Sequence, residues 1–189
     1  DGKLFVASVD AHRVHALDAG TGKPLWSFTA GARVDSPPTI HGPLVLFGSA
    51  DGWVYCLAVE DGRLAWRFRA APADQRLMSF EQLESVWPVH GSVLVKNDTA
   101  YFCAGRSSYL DGGIHLLRLN AHTGELLSET VIDARDPKTG KEPVWWDTPI
   151  MPGGLRDVLV VQGDRVYLKD LAFDLKGTLL AEKNPYFIS

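Results

Sequence analysis

"ALDAGTGKPLW", residues 16–26, and "CLAVEDGRLAW", residues 56–66, superpose without a gap: Gly22 falls on Gly62 and Trp26 on Trp66, forty residues apart. A third copy, "RLNAHTGELLS" at 118–128, keeps Thr123 and Gly124 and carries Ser128 in the tryptophan's place. Each copy reads as strand, tight turn, strand. Glycine supplies a positive φ without a Cβ clash, and threonine hydrogen-bonds the turn backbone. The tryptophan four residues on opens the next strand, where a flat indole can fill the wedge between neighbouring sheets while its N–H reaches a backbone acceptor. Asp18, Gly22, Trp26, Gly62, Trp66 and Gly124 are therefore residues of the repeat itself, and Trp26 and Trp66 are expected to be mostly buried.

Outward from each copy the same order of elements recurs. "KLFVAS" (3–8), "LVLFGS" (44–49), "AYFCAG" (100–105) and "RVYLKD" (165–170) are aromatic and β-branched runs of strand length. The turn signals "HGP" (41–43), "KND" (96–98) and "QGD" (162–164) precede the last three, each with a further short apolar run before it. One full unit thus predicts strand A at 36–41, B at 44–49, C at 53–59 and D at 64–69. A single helix is predicted over 79–85, "SFEQLES", with Ser79 and Gln82 as a capping box. Four-stranded antiparallel units at this period make an all-β chain of propeller blades. The blades fall at about 1–32, 33–72, 87–132 and 155–189, the first lacking its A strand and the last incomplete.

Composition agrees with a folded, turn-rich domain: of 189 residues 46% are apolar and 22% charged, with 18 glycines and 11 prolines. The net charge of −4 with no basic cluster argues against a nucleic-acid partner. No apolar run approaches the roughly 20 residues of a membrane helix. Two cysteines, Cys56 and Cys103, in strand contexts read as buried thiols. The abrupt start without methionine, and an arc too short to close a ring, predict a piece of a longer protein.

The A-x-D-x-x-T-G-x-x-x-W pattern of "ALDAGTGKPLW" resembles the propeller repeat of quinoprotein alcohol dehydrogenases and of their non-enzymatic relatives, the PQQ-like repeat proteins, which include an outer-membrane-assembly lipoprotein scaffold. The second copy departs from it with Ala58 at the aspartate. The resemblance implies an extracytoplasmic location and the remaining blades of the propeller as structural partners. It also implies one of two functions: a scaffold that binds a protein or glycan, or a dehydrogenase using pyrroloquinoline quinone with calcium.

The copies differ in length. Between Gly62 and Gly124 the spacing is 62 residues, and the extra residues fall in the D-to-A link at 70–90 and the B-to-C link "RSSYLDGG" at 106–113. A further D-to-A insertion spans 133–154. Strand direction reverses at every step of an antiparallel blade, so these links share one end and the A-to-B and C-to-D turns share the other. Chance would scatter insertions over both ends. The candidate binding face is therefore Trp87, His90, Arg106, Ser107, Tyr109, Asp111, Trp145, Trp146 and Asp147, an aromatic and charged lining suited to polar ligands or partner peptides. The alternative is structural, with Arg106 paired to Asp111 or a neighbouring carboxylate and Tyr109 packed on the Trp87 loop.

Specific chemistry is less well supported. The dehydrogenase resemblance implies an adjacent cysteine pair, a tryptophan floor and a calcium held by acidic and amide oxygens. The chain has no Cys-Cys sequence, and Glu81, Glu84 and Asp147 lack the spacing of a calcium loop. His12 and His15, as H-x-x-H on a strand, point to opposite faces and do not make a metal site. His41 and His122 read as solvated turn residues on the face away from the insertions. Ser107, Ser108 and His90 lack the frame that fixes a nucleophile. No catalytic residue and no cofactor is assigned within these residues.

Overall fold

The structure, a computed structural model, describes residues 2–136, 138–141 and 158–183. Among these residues all regular structure is β. Among the described residues blade one holds three paired strands, β1 (Lys3–Ser8), β2 (Arg13–Asp18) and β3 (Pro24–Thr29). Blade two is β4 (Thr39–His41), β5 (Leu44–Gly48), β6 (Trp53–Ala58) and β7 (Leu64–Arg69). A separate hairpin follows, β8 (Arg76–Ser79) and β9 (Gln82–Ser85). Blade three is β10 (Leu94–Lys96), β11 (Thr99–Ala104), β12 (Ile114–Asn120) and β13 (Leu126–Ile132). Blade four is β14 (Val160–Gln162), β15 (Arg165–Leu168), β16 (Leu171–Asp174) and β17 (Leu179–Lys183).

Two expectations are corrected. The fourth blade is not short of strands: its sheet has all four. The helix over 79–85 does not form, because Phe80 and Glu81 both take positive φ, 49° and 62°, and turn the chain back on itself. Two consecutive left-handed residues make a hairpin turn that matches the strand twist. Ser79 and Gln82, expected to cap a helix, instead face each other as the pair that closes the hairpin.

Period-two alternation explains how one sheet supports two neighbours. In β5 and β6, Val45, Phe47, Tyr55 and Leu57 pack toward blade one with Val14 and Val34. Leu46, Val54 and Cys56 pack toward blade three with Ala100, Phe102, Leu117 and Leu119. In blade three, Tyr101 and Leu116 turn the other way, against Val166, Leu168 and Phe173 of blade four. The middle strands are buried on both faces and read as unbroken apolar runs, whereas the outer strand β7, "LAWRFR", alternates.

The repeat residues close the seams between blades. Gly22, Gly62 and Gly124 have φ of 70°, 72° and 73° in the C-to-D turns. Trp26 donates its Nε1–H to the carbonyl of Val59 at 3.1 Å, and Trp66 does the same to Ala121 at 3.1 Å. Each acceptor lies three residues before the next blade's turn glycine. That glycine has to be glycine: a Cβ on Gly62 would lie 2.6 Å from the Trp26 ring, and one on Gly124 2.7 Å from Trp66. The two indoles are half-buried, more open than expected. Asp18 caps its own turn, its Oδ1 accepting from the backbone N–H and hydroxyl of Thr21 at 2.7 and 2.6 Å. These bonds to Thr21 hold the Asp18 carboxyl below its ordinary range.

Candidate functional site

The D-to-A and B-to-C links meet at one end of the arc and are stitched together by backbone bonds. Ala50 N–H donates to Arg33 O, Ser85 N–H to Ala50 O, Val89 N–H to Ser49 O and Gly105 N–H to Pro88 O, at 2.8 to 3.0 Å. The loops of blades one, two and three are therefore one continuous layer. Three features stand in it.

The first is a buried ion cluster. Glu84, 0% exposed, receives Arg33 on Oε1, through Nε at 2.6 Å and through Nη2, and receives Arg106 Nη2 on Oε2 at 2.7 Å. Arg106 also donates to Ser85 O at 3.3 Å. The partner of Arg106 is thus the neighbouring carboxylate Glu84 and not Asp111. Both oxygens of Glu84 are engaged by guanidinium groups, so its charge is already balanced by two cations in this arrangement. The cluster ties the first D-to-A link, the hairpin and the third blade's B-to-C link at a single carboxylate.

The second is the polar stretch around it. Trp87 is only 8% exposed, and its Nε1–H donates to Asp111 O at 2.7 Å. Asp111 sits at φ 53° in the turn, with its side chain exposed. Ser107 Oγ accepts from the Tyr109 N–H at 3.1 Å, and Tyr109 is half-buried. Buried Ser108 offers its carbonyl to the Ala134 N–H at 2.8 Å. Ser107, Ser108 and His90 make no hydrogen-bonded relay with one another. Trp145, Trp146 and Asp147 lie outside the described residues.

The third joins His90, expected on this face, to Asp35, which was not foreseen. Asp35 Oδ2 accepts from His90 Nδ1 at 2.7 Å across the inner ends of blades two and three. Both border a cavity of about 210 Å³ whose wall also includes Ser36, Pro37, Ser92 and Val158. Asp35 Oδ1 and Ser36 Oγ are buried there without a hydrogen-bond partner. A buried carboxylate oxygen and hydroxyl left unsatisfied favour a donor that enters the cavity. The sequence did hold a signal for this pair: Asp35 stands four residues before β4 and His90 four residues before β10, the same place in successive blades.

At the opposite end, His41, Asp98 and His122 converge although they come from three different turns. Cys56 is buried in β6, and that burial pushes its thiol up to about 12, so it is no nucleophile at neutral pH. Cys103 lies in β11 of another blade. Among the described residues the two cysteines are thus not adjacent and do not form the vicinal pair that the dehydrogenase resemblance implies.

Comparison with known proteins agrees with this architecture. The family model described as outer membrane protein assembly factor BamB matches residues 1–144. Quinohemoprotein alcohol dehydrogenase ADH IIB of Pseudomonas putida is 27% identical over 98% of the chain, which spans 30% of that protein's length. In structure the chain is similar to BamB from Moraxella catarrhalis, with a TM-score of 0.61 and 18% identity over 99% of this chain and 50% of that one. Quinohemoprotein alcohol dehydrogenase ADHIIG from Pseudomonas putida HK5 gives 0.58 and 18% over 69% of this chain and 19% of that one. These likenesses show the fold alone. With the repeat, the Trp–Gly seams and the family match over most of its length, the chain belongs to the PQQ-like repeat family of β-propellers.

Proposed function

We propose that this arc is a non-catalytic binding module, which engages a partner protein through the face carrying the D-to-A and B-to-C links. The observation that carries it is the hairpin of the first insertion. Met78 and Leu83 face each other across β8 and β9, 70% and 51% exposed, and Phe80 at the tip is 68% exposed. Three large apolar side chains on one small hairpin, held rigidly from below by Glu84, make a patch of the kind that marks a protein interaction site. His12 Nε2 to Gln82 Oε1, at 2.8 Å, and the Arg33 guanidinium 4.9 Å from the Phe80 ring centre hold the hairpin against blade one. The family's outer-membrane assembly description supports an extracytoplasmic setting, with further blades as structural neighbours. Among the described residues no helix is long and apolar enough to cross a membrane.

The test is site-specific crosslinking from position 83 in the producing cell. A discrete adduct that disappears when Met78→Asp is added supports the module; adducts indifferent to that change argue against it. A glycan occupant would instead give binding that is sensitive to Asp35→Asn and indifferent to Met78→Asp.

A second activity is favoured by the likeness to ADH IIB over almost the whole chain. It would make this arc part of a quinone-dependent dehydrogenase whose cofactor contacts come from other residues. Dye reduction by an alcohol that requires both pyrroloquinoline quinone and calcium would establish it, and would overturn the non-catalytic proposal.

A further inference from the structure

We propose that His41, Asp98 and His122 form a binding site for a divalent transition metal ion, zinc being the best match, which staples blade two to blade three at the end away from the insertions. His41 lies at the end of β4, in the A-to-B turn of blade two. Asp98 is in the A-to-B turn of blade three and His122 in the C-to-D turn of the same blade. Three separate turns thus present three donors to one point.

The geometry fits a small cation. Asp98 Oδ1 is 2.9 Å from His41 Nε2 and 3.3 Å from His122 Nε2, and all the donor atoms lie within 4.8 Å of one another. Donors about 2.0–2.1 Å from a tetrahedral zinc stand about 3.4 Å apart, so only small rotations would be needed to seat the ion. Two imidazoles and one carboxylate suit zinc, nickel or copper and disfavour calcium or magnesium, which prefer all-oxygen shells. The three residues are partly open to solvent, which allows entry and leaves a fourth position for water.

The support beneath the donors is ordered. The Ala121 N–H donates to Asp98 O at 2.8 Å, joining the two turns of blade three. Asn120 Oδ1 accepts from the backbone N–H of His122 and Thr123 at 2.9 and 3.1 Å and sets where the His122 turn sits. Ala121, next to His122, is the residue whose carbonyl receives Trp66. The ion would therefore brace the seam that Trp66 already closes. This proposal is independent of the partner-binding face, which lies at the other end.

Zinc titration of the purified protein against a chromophoric chelator tests it, with thermal unfolding followed in zinc and in chelator. The wild type is expected to bind one ion per chain and to unfold at a higher temperature in zinc. His122→Ala and Asp98→Asn are each expected to weaken binding by about tenfold or more and to lose the thermal gain. Both positions are in exposed turns, and equal unfolding temperatures in chelator will show that the variants still fold. If the His41→Ala/His122→Ala double variant binds zinc as the wild type does, or if zinc leaves the wild type's unfolding temperature unchanged, the proposal is overturned.

Discussion

The seam between blades two and three and the seam between blades three and four use the same strand order but are closed by different chemistry. At the first, Trp66 pairs with Cys56 across the sheet, lies on Gly124 and donates to Ala121 O. At the second, Ser128 and Arg118 occupy the matching pair of positions. Arg118 Nη1 donates to Lys176 O at 2.9 Å, Ser128 Oγ donates to the same carbonyl at 3.1 Å, and Thr130 Oγ1 donates to Gly177 O at 2.7 Å. The Arg118 guanidinium also stands 5.6 Å from the Tyr101 ring centre. The fourth blade's turn is one residue shorter, with Asp174 N–H bonded to Thr178 O where Asn120 N–H reaches Glu125 O. A shorter turn brings a different carbonyl to the rim, and a polar pair replaces the indole that reached the old one. The degraded third copy is thus a change of glue and not a lost seam.

The difference is open to direct measurement by denaturant unfolding of single variants. The largest effect is expected at the mouth end of the indole-closed seam, where Glu84→Gln would leave buried Arg33 and part-buried Arg106 against a neutral amide; about 3–5 kcal/mol is expected for removing one member of such a cluster. A loss under about 1 kcal/mol would mean the cluster is solvated and ties nothing. Next comes Trp66→Ala. Full truncation of a core tryptophan costs 3–5 kcal/mol, and the half-exposed rim position lowers the expectation to about 3 kcal/mol. Gly124→Ala attacks the same contact from the other side, adding a Cβ 2.7 Å from the indole at a φ of 73°; a cost of about 2 kcal/mol is expected. Combined with Trp66→Ala it should cost less than the sum, because the clash partner is gone.

Ser128→Ala probes the polar seam and should cost only about 1 kcal/mol, the worth of an ordinary hydrogen bond. If it cost as much as Trp66→Ala, the two seams would be equivalent in strength and the contrast would fail.

The blade pattern was legible because each of its parts has a local cause: the positive φ at Gly22, the cap from Asp18, the alternation in "LAWRFR". The strands expected at 3–8, 44–49 and 64–69 follow directly from such signals and are found at Lys3–Ser8, Leu44–Gly48 and Leu64–Arg69. The hairpin at 76–85 was misread because two left-handed non-glycine residues, Phe80 and Glu81, carry no turn signature, while Ser79 and Gln82 mimic a helix cap. Pairings between loops were beyond local reasoning. Nothing near Arg106 in sequence points to Glu84, and His41, Asp98 and His122 meet only because blades two and three stack. The turn at 136–141, "DPKTGK", repeats the Asp18 chemistry, with Asp136 N–H bonded to Lys141 O and Asp136 Oδ1 accepting from Lys138 and Thr139. Its letters match "DAGTGK" at 18–23 in the aspartate, threonine, glycine and lysine.

The smallest expected effect separates the seams by pH. Tyr55 faces blade one, stacked on Phe47 with ring centres 5.4 Å apart, and donates its hydroxyl to Asp51 Oδ2 at 2.6 Å. Tyr101 faces blade four and donates to a neutral acceptor, Leu175 O, at 2.8 Å. Burial, and then the negative charge of Asp51, raise the Tyr55 pKa well above its ordinary value. The folded state therefore keeps a proton that the unfolded chain gives up near pH 10. Below that pH the contribution of Tyr55 to stability is fully present; as pH rises past it, the unfolded state binds fewer protons than the folded state and stability must fall. Unfolding midpoints measured from about pH 9 upward should decline in the wild type, and less steeply in Tyr55→Phe, whatever that variant's stability at neutral pH. Equal slopes in the two proteins would mean that the Tyr55 hydroxyl ionises in the folded blade as freely as it does in water, and neither its burial nor the Asp51 carboxylate within blade two would then be holding its proton.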